Sequence, residues 1–224
     1  MLNIALDGPA GSGKSTAAKL LAAELDMLYL DTGAMYRAIA LKALRLGIDP
    51  NDAERVMPML PETSVDVENR SGTQHTFLDG EDVSGLIRTQ QVSKGASDIA
   101  VIPAVREKLV ELQREIALKH DVIMDGRDIG SYVIPNTPYK FYINASVQER
   151  ARRRLAELQE RGEYLDVSQA RMEEEIAARD HTDSTRAFAP LKRTEDAVYI
   201  DTTGISAQEV VRTILDIVKG KAGV

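Results

Sequence analysis

The chain contains no cysteine and no long apolar run, and each absence excludes a class of structure. Without cysteine, neither a disulfide framework nor a thiolate metal site can form. No apolar stretch approaches the roughly 20 residues of a transmembrane helix, and no basic segment followed by an apolar run has the form of a signal peptide. We therefore expect a cytoplasmic protein that does not contact a membrane.

Basic residues are also scarce. The chain has 28 Lys and Arg against 35 Asp and Glu, so its formal net charge is −7 at pH 7. This balance argues against a general nucleic-acid-binding protein, because such proteins need a positive surface. Any basic residues with a function must therefore be concentrated locally. The length of 224 residues predicts a single domain, residues 1–224, that can bury a sizeable core.

The most informative segment is DGPAGSGKST, which follows a short apolar run at residues 2–6. Gly8, Gly13, Lys14 and Ser15 fill every fixed position of the pattern G-x-x-x-x-G-K-[ST]. Glycines let the backbone curl so that its N–H groups surround an anion at the N-terminus of a helix. Lys14 is expected to reach the outer phosphates of ATP, and the Ser15 hydroxyl to bind Mg²⁺. The predicted ATP contacts in this loop are Gly8, Pro9, Ala10, Gly11, Ser12, Gly13, Lys14, Ser15 and Thr16.

Downstream, apolar segments alternate with stretches of helical periodicity. This alternation predicts a doubly wound, five-stranded parallel sheet of the α/β class, because helical crossovers join parallel strands. Two further runs, 64–68 and 74–78, alternate in polarity and predict a small β hairpin with its turn at 69–72. The other predicted strands are 28–30, 122–124, 140–143 and 197–200. The later helices are predicted at 34–47, 52–60, 102–119, 147–161, 168–180 and 206–218.

Charged residues follow several of the predicted strands. Arg37 lies early in the second predicted helix, and Asp125, Arg127 and Asp128 come directly after a buried strand. In sheets of this class, ligands bind at the carboxyl ends of the strands, so these side chains are expected to face the same crevice as the glycine-rich loop. Asp7, which ends the first strand, is placed to cap the loop helix or to hold water near Mg²⁺. The alternatives are an ordinary surface arginine for Arg37 and a structural ion pair for Arg127.

A third charged group lies near the end of the predicted helix 168–180. Arg179, Asp183 and Arg186 are spaced i, i+4 and i+7, so they would share one face of a helix. Ordinary salt bridges explain this spacing as well as a function does. The segment also contains three hydroxyl residues between 182 and 185, which are poor helix formers. We therefore expect it to become ordered only when an anion binds, as a lid would.

A fourth group occurs in the segment QERARRRLAELQE. Arg150 and Arg154 lie four residues apart, so their like charges would repel each other on a helix. Glu149, Glu157 and Glu160 can pair with several arginines of the segment, which leaves a solvated, salt-bridged face as the alternative. We predict that Arg150 and Arg154 contact the phosphates of ATP.

Together, these motifs resemble those of the bacterial cytidylate kinases, within the nucleoside monophosphate kinase family. The matching segments are DGPAGSGKST, DTGAMYR, GEDVSGLIRT, DGRDIG and RD-x-x-D-x-x-R followed by APL. The resemblance runs from Asn3 to about Asp201. It implies a P-loop NTPase fold with a monophosphate-binding region at 32–106, an inserted β subdomain at about 62–88 and a helical lid at about 150–190.

The resemblance also implies an activity, transfer of the γ-phosphoryl group of ATP to CMP or dCMP by a monomer that uses Mg²⁺. The implied contacts to the monophosphate are Thr32, Arg37, Ser97, Arg106, Arg127, Asp128, Arg179, Asp183 and Arg186. Lys14, Arg127, Arg179 and Arg186 are expected to be catalytic, because they can neutralise charge on the transferred group. His181 and Thr182 stand where relatives can carry basic residues, so the lid is expected to hold fewer arginines.

Cytosine chemistry agrees with this assignment. Its exocyclic amino group donates a hydrogen bond beside two acceptors, whereas uracil has the opposite polarity at two of these positions. We expect Asp128 to accept from the amino group, with Arg106 and Ser97 completing the base site, and Asp183 to accept from a pentose hydroxyl.

Other functions remain open at this point. A P-loop switch specific for guanine nucleotides would carry N-K-x-D, which does not occur in the sequence. Adenylate, guanylate and shikimate kinases share the phosphate-binding loop, but the β insertion and the pair of Arg106 and Asp128 argue against them. A binding module without turnover would be distinguished by an assay for ADP release.

Overall fold

The computed structural model describes residues 1–70 and 72–222. The strands are β1 (Asn3–Asp7), β2 (Leu28–Asp31), β3 (Val65–Arg70), β4 (Thr73–Leu78), β5 (Glu81–Asp82), β6 (Val122–Gly126), β7 (Tyr139–Asn144) and β8 (Val198–Asp201). The α-helices are α1 (Lys14–Leu25), α2 (Thr32–Arg45), α3 (Ala53–Met59), α4 (Gln90–Ile99), α5 (Pro103–Lys119), α6 (Val147–Glu160), α7 (Gln169–Thr185) and α8 (Ala207–Ala222). The main sheet has the order β2-β6-β1-β7-β8 with every pair parallel, which confirms the predicted doubly wound α/β fold.

The main sheet is covered on both faces. Residues 4–6 of β1 are fully buried, as a parallel sheet with helices on both sides requires. One apolar cluster contains Met35 and Leu109 and packs α2 and α5 against one face. A second cluster contains Leu21 and Ile214 and packs α1 and α8 against the other. The two clusters hold the sheet rigidly beneath the loops at its carboxyl edge.

The register of the sheet brings the predicted site segments to one edge. Asp7 at the end of β1 pairs with Gly126 of β6, and Asp31 at the end of β2 pairs with Asp125. The glycine-rich loop, the start of α2 and the segment after β6 therefore leave the sheet side by side. Neighbouring strands lie about 4.8 Å apart. The segment after β6 is therefore one strand spacing from each of the other two, which lie two spacings apart on either side of it.

The predicted hairpin is confirmed, as an antiparallel β3-β4 pair in a separate sheet of order β3-β4-β5. The short strand β5 was not predicted. Ser71 of the predicted hairpin turn lies outside the described residues. The insertion rests on α2 and on the edge strand β2, so it lies beside the carboxyl edge of the main sheet.

Several helix boundaries differ from those predicted. Helix α2 begins at Thr32 rather than at residue 34, because the Asp31 carboxylate caps it by accepting the Ala34 N–H at 3.0 Å. Helix α4 was not predicted at all. Its buried residues, Val92, Gly95, Ala96 and Ile99, follow helical spacing, but two of the four are small, and Thr89 starts the helix by accepting the Val92 N–H.

The segment expected to become ordered only on anion binding is helical. Helix α7 continues through it to Thr185, so that prediction was wrong. Ser184 and Thr185 donate their hydroxyl protons to carbonyl groups one turn earlier, Asp180 O and His181 O, both at 2.7 Å. These bonds satisfy the hydroxyl groups inside the helix. None of the helices in the described part of the chain combines the length and the hydropathy needed to cross a bilayer.

Candidate active site

A cavity of about 520 Å³ opens at the carboxyl edge of the main sheet. The glycine-rich loop, the start of α2, the segment after β6 and the end of α7 surround it. Every site residue predicted from the sequence lines this cavity except Gly8, Pro9, Ser12 and Arg150. The structure therefore brings these four segments together around one space, and the three that follow strands were expected there from their positions at strand ends.

The glycine-rich loop packs directly against β7. A Cβ added at Gly8, whose φ is +153°, would lie 1.9 Å from the carbonyl oxygen of Ile143, so only glycine fits there. Lys14 folds back along the loop and donates to Pro9 O at 3.0 Å. Burial and the nearby positive charge of Arg127 lower the pKa of Lys14 to about 7. An anion that enters the loop would stabilise the charged form of this amine.

Ser15 and Asp125 form the part of the cavity that fits a divalent cation. Ser15 Oγ donates to one carboxylate oxygen of Asp125, and Tyr29 Oη donates to the other at 3.0 Å. Burial raises the pKa of Asp125, and the charge of Asp31 adds to this effect. Mg²⁺ with a nucleotide needs only one or two protein oxygens and keeps several waters, so this donor set fits it. Within residues 1–70 and 72–222, no group of three or more His, Asp or Glu is arranged to hold a metal ion.

Asp7 organises the segment after β6. Its carboxylate accepts the N–H groups of Ile129 and Gly130, both at 2.7 Å. These residues open a π-helical turn, Ile129–Val133, that sequence patterning did not predict. Burial raises the pKa of Asp7 to about 7 despite these two bonds. Asp7 therefore fixes the backbone next to Arg127 and Asp128.

Asp31 is the centre of the cluster at the start of α2. Its carboxylate accepts from Arg37 Nη2 at 2.8 Å and lies 3.4 Å from Arg88 Nη2. The Nε atom of Arg37 is buried, and none of the described residues supplies it with a hydrogen-bond acceptor. Thr32 Oγ1 donates to Asp125 O at 2.8 Å. Arg37 therefore keeps donor capacity directed toward the cavity.

Arg106 and Asp128 form a buried ion pair in the cavity lining. Their side chains are only 1% and 7% exposed, and Arg106 Nη1 also donates to Ala100 O at 3.2 Å. The guanidinium lies 5.5 Å from the ring centre of Tyr36. Arg186, at the end of α7, reaches the other carboxylate oxygen of Asp128 at 3.5 Å. Asp128 thus connects the core to the end of α7.

Ser97 also lines the cavity. Its Oγ is buried, and no atom in the described ranges is in hydrogen-bonding position to it. A buried hydroxyl without a protein partner costs free energy, about 1–3 kcal/mol, which a ligand can recover. Ser97 therefore offers a hydroxyl group that a ligand in the cavity can bind.

Arg127 and Asp183 form a second pair between the sheet edge and α7. Arg127 Nε donates to Asp183 Oδ2 at 2.6 Å. Burial opposes ionisation of Asp183, but Arg127 and Arg179 more than offset it and hold the pKa of Asp183 below its usual value. Burial and the charge of Arg127 lower the pKa of Arg179 to about 10, and its Nε has no protein acceptor among the described residues. The three side chains together carry a net positive charge, which faces the glycine-rich loop.

Arg150 does not line the cavity. It donates to Asp180 Oδ2 at 2.6 Å, to Ala145 O at 3.0 Å and to Ala10 O at 3.2 Å. Arg154 pairs with Glu157 at 2.9 Å, so both arginines have carboxylate partners, as the alternative of a salt-bridged helix face predicted for Arg154. Asp180 is 30 residues from Arg150 and belongs to the next helix, so helical spacing alone gave no indication of this bond. Arg150 ties α6 to α7 and to the glycine-rich loop.

Several cavity residues were not predicted from the sequence, among them Asp31, Tyr36, Arg88 and Arg153. Asp125 was expected to face the crevice from its position at a strand end, but no role was predicted for it. Arg153 donates to Thr202 O at 2.7 Å and so connects α6 to the loop after β8. That contact joins segments 49 residues apart and has no local sequence signature.

Comparisons with known proteins agree with the site. The family model described as cytidylate kinase matches residues 4–220. A cytidylate kinase from Caldicellulosiruptor bescii is 48% identical over 216 residues, covering 96% of this chain and 95% of that protein. A cytidylate kinase from Pelotomaculum thermopropionicum is 50% identical over 214 residues, with 95% and 94% covered.

A solved structure of an uncharacterized protein from Eubacterium ventriosum superimposes with a TM-score of 0.54 at 12% identity. The alignment covers 98% of this chain and 99% of that one, and at this identity it supports the fold alone. The family match extends over nearly the whole chain and includes every segment around the cavity. The chain therefore belongs to the cytidylate kinase family.

Proposed function

We propose that the protein transfers the γ-phosphoryl group of ATP to CMP or dCMP and releases ADP with CDP or dCDP. The observation that carries this proposal is the single cavity in which the glycine-rich loop faces a group of arginines from the rest of the chain. A phosphoryl transfer between two nucleotides needs both phosphate-binding halves in one space. Membership of the cytidylate kinase family identifies the acceptor.

The donor half is the glycine-rich loop at the N-terminus of α1. Its backbone N–H groups and the helix dipole bind the phosphates of ATP, and Lys14 reaches the outer ones. Arg154 lines the cavity and contacts ATP from α6. Arg150 acts indirectly, because its guanidinium already holds the loop carbonyl of Ala10. Mg²⁺ bound with ATP at Ser15 and Asp125 would supply charge neutralisation.

The acceptor half lies on the opposite side of the cavity. Arg37, Arg127 and Arg179 are placed to bind the monophosphate, and the buried donors of Arg37 and Arg179 support this role. Ser97, Arg106 and Asp128 recognise cytosine, since the Asp128 carboxylate accepts from an amino group that uracil lacks. Asp183 accepts from the pentose. Thr32 and Arg186 complete the wall around the nucleotide.

The chemistry requires no general base, because the attacking oxygen belongs to a phosphate that is already anionic at neutral pH. Catalysis then consists of aligning two phosphates and neutralising the charge on the group in transfer. Lys14, Arg127, Arg179 and Arg186 perform this neutralisation. The ion pairs of α7 with Arg127 and Asp128 support its role as a lid that excludes water from ATP.

The proposal assigns the regions as residues 32–106 for monophosphate binding, with the β insertion at about 62–88, and about 150–190 for the lid. One chain supplies all the basic groups around the cavity, which supports a monomer as the active unit. We also propose a cytoplasmic location, where ATP and CMP are available, and no nucleic acid or membrane as partner. Light scattering on the eluting protein at assay concentration tests the oligomeric state.

A panel of nucleoside monophosphates tests the activity and the base site together. ADP release is measured with Mg²⁺, ATP and equal concentrations of CMP, dCMP, UMP, AMP or GMP. We expect turnover with CMP and dCMP, and kcat/KM for UMP at least about 100-fold lower because buried polar groups would be mispaired. Equal efficiency with UMP and CMP would contradict the roles of Asp128 and Arg106. No ADP release with any monophosphate would contradict the activity itself.

A further inference from the structure

The β insertion meets the main sheet at Asp31 through the side chain of Gln74. Gln74 lies on β4, the middle strand of the small sheet, and Asp31 ends β2, the edge strand of the main sheet. Gln74 Oε1 accepts the Asp31 N–H at 2.7 Å, and Gln74 Nε2 lies 3.3 Å from Asp31 O, to which it donates. Nε2 also donates to Thr76 Oγ1 at 3.2 Å, which fixes the amide. The side chain thus bonds both backbone groups of Asp31, as a neighbouring strand would.

Asp31 in turn holds two arginines of the cavity. Its carboxylate accepts from Arg37 at 2.8 Å and from Arg88 at 3.4 Å, while it also caps α2 through the Ala34 N–H. Arg37 comes from α2, and Arg88 follows the insertion in the chain. Both line the cavity, so a rotation or shift of the Asp31 backbone would move two guanidinium groups relative to the glycine-rich loop.

We propose that Gln74 is a positioning residue for binding of the acceptor monophosphate. By fixing the backbone of Asp31, it orients the carboxylate that holds Arg37 and Arg88, and so sets the position of the acceptor phosphate. This inference rests on the proposed function, because it takes the ligand of Arg37 to be the phosphate of CMP. It gives the β insertion a defined role, in which the insertion orients the arginines from outside the cavity.

The test compares Gln74→Met with His75→Met. Methionine has the length of glutamine but no hydrogen-bonding amide, so Gln74→Met removes both bonds to Asp31. His75 is the next residue of the same strand and its side chain leaves the opposite face, where it pairs with Asp82 on the surface. With both bonds lost, the Asp31 backbone is no longer held and Arg37 and Arg88 lose their fixed position, so we expect a KM for CMP roughly tenfold above wild type. We expect KM for ATP to change less than about twofold in both variants, and His75→Met to retain the wild-type KM for CMP.

A second comparison separates positioning from simple attachment of the insertion. In a background that carries both Arg37→Met and Arg88→Met, Gln74→Met should raise KM for CMP by less than about twofold further, because Gln74 acts through these two arginines. A tenfold rise in that background, or equal KM for CMP in Gln74→Met and His75→Met, would overturn the inference.

If Gln74→Met does not fold, Gln74→Glu replaces it. That variant keeps the acceptor for the Asp31 N–H and places a carboxylate against Asp31 O, so KM for CMP should still rise selectively, and an unchanged value would overturn the inference as well.

The two proposals fail differently. Wild-type protein without CMP-dependent ADP release overturns the proposed function and this inference with it. Active wild-type protein with a Gln74→Met variant of unchanged KM overturns only the role of Gln74.

Discussion

Replacing Arg106 by methionine should destabilise the protein, because it leaves the buried Asp128 carboxylate without its main partner. The Arg106 side chain is 1% exposed and its partner Asp128 is 7% exposed. Methionine replaces much of the aliphatic stem of arginine but leaves the Asp128 carboxylate buried, with only Arg186 within reach at 3.5 Å. Breaking one partner of a buried pair costs about 3–5 kcal/mol, and we expect the lower end of this range because Arg186 remains. In a chain of this size, about 3 kcal/mol lowers the Tm by roughly 6–12 °C.

A double variant tests the reasoning. The double variant Arg106→Met/Asp128→Leu also removes the buried carboxylate at position 128, so at least about half of the decrease in Tm should be recovered. Neither variant should phosphorylate CMP efficiently, because both lack the base-reading pair. Scanning calorimetry supplies the Tm, and Lys94→Met, which removes a surface pair with Asp98, is the control that should shift it by less than about 2 °C. A double variant as unstable as Arg106→Met would refute the charge-burial explanation.

Two further predictions concern the phosphate site. Because the pKa of Lys14 is lowered to about 7, about nine-tenths of the amines are neutral at pH 8, and a bound triphosphate restores the charge. Calorimetry in buffers of different ionisation enthalpy should therefore show uptake of roughly 0.9 proton per ATP in wild type and much less in Lys14→Met; equal uptake in both would contradict the assignment. Arg179→Ala and Arg186→Ala should each lower kcat by about 100-fold or more with KM for ATP changed less than about threefold. Arg152→Ala, on the exposed face of α6, is the control, and an unchanged kcat in both lid variants would refute the role of the lid.

The parts of the fold that were predictable have local signatures. Strands β1 and β6 are continuous apolar runs that end in charged residues, and a parallel sheet places such ends at one edge. The spacing of Arg179, Asp183 and Arg186 likewise predicted that they share one side of a helix, and all three line the cavity. These predictions depend only on periodicity and on the order of elements along the chain.

The parts that were missed depend on contacts between distant residues. Gln74 and Asp31 are 43 residues apart, and nothing in the hairpin sequence marks Gln74 as the residue that bonds the main sheet. The pairing of Arg150 with Asp180 depends on how α6 and α7 pack. Helix α4 is ten residues long and buries two small residues, Gly95 and Ala96, and its position follows from packing against α2 rather than from propensity. Tertiary contacts decide all three, and no short-range pattern encodes them.

The register between β1 and β6 has a consequence for motion. Asp7 and Gly126 are paired in the same ladder, so the loop for ATP and the segment with Arg127 are joined by backbone hydrogen bonds that open only when the central sheet unfolds. The distance between the loop that binds ATP and the segment that carries Arg127 is therefore constant during turnover. Any opening for substrate entry must come from α6, α7 and the β insertion. Amide hydrogen exchange should accordingly be slowest in β1 and β6, and fastest in α6, α7 and the β insertion.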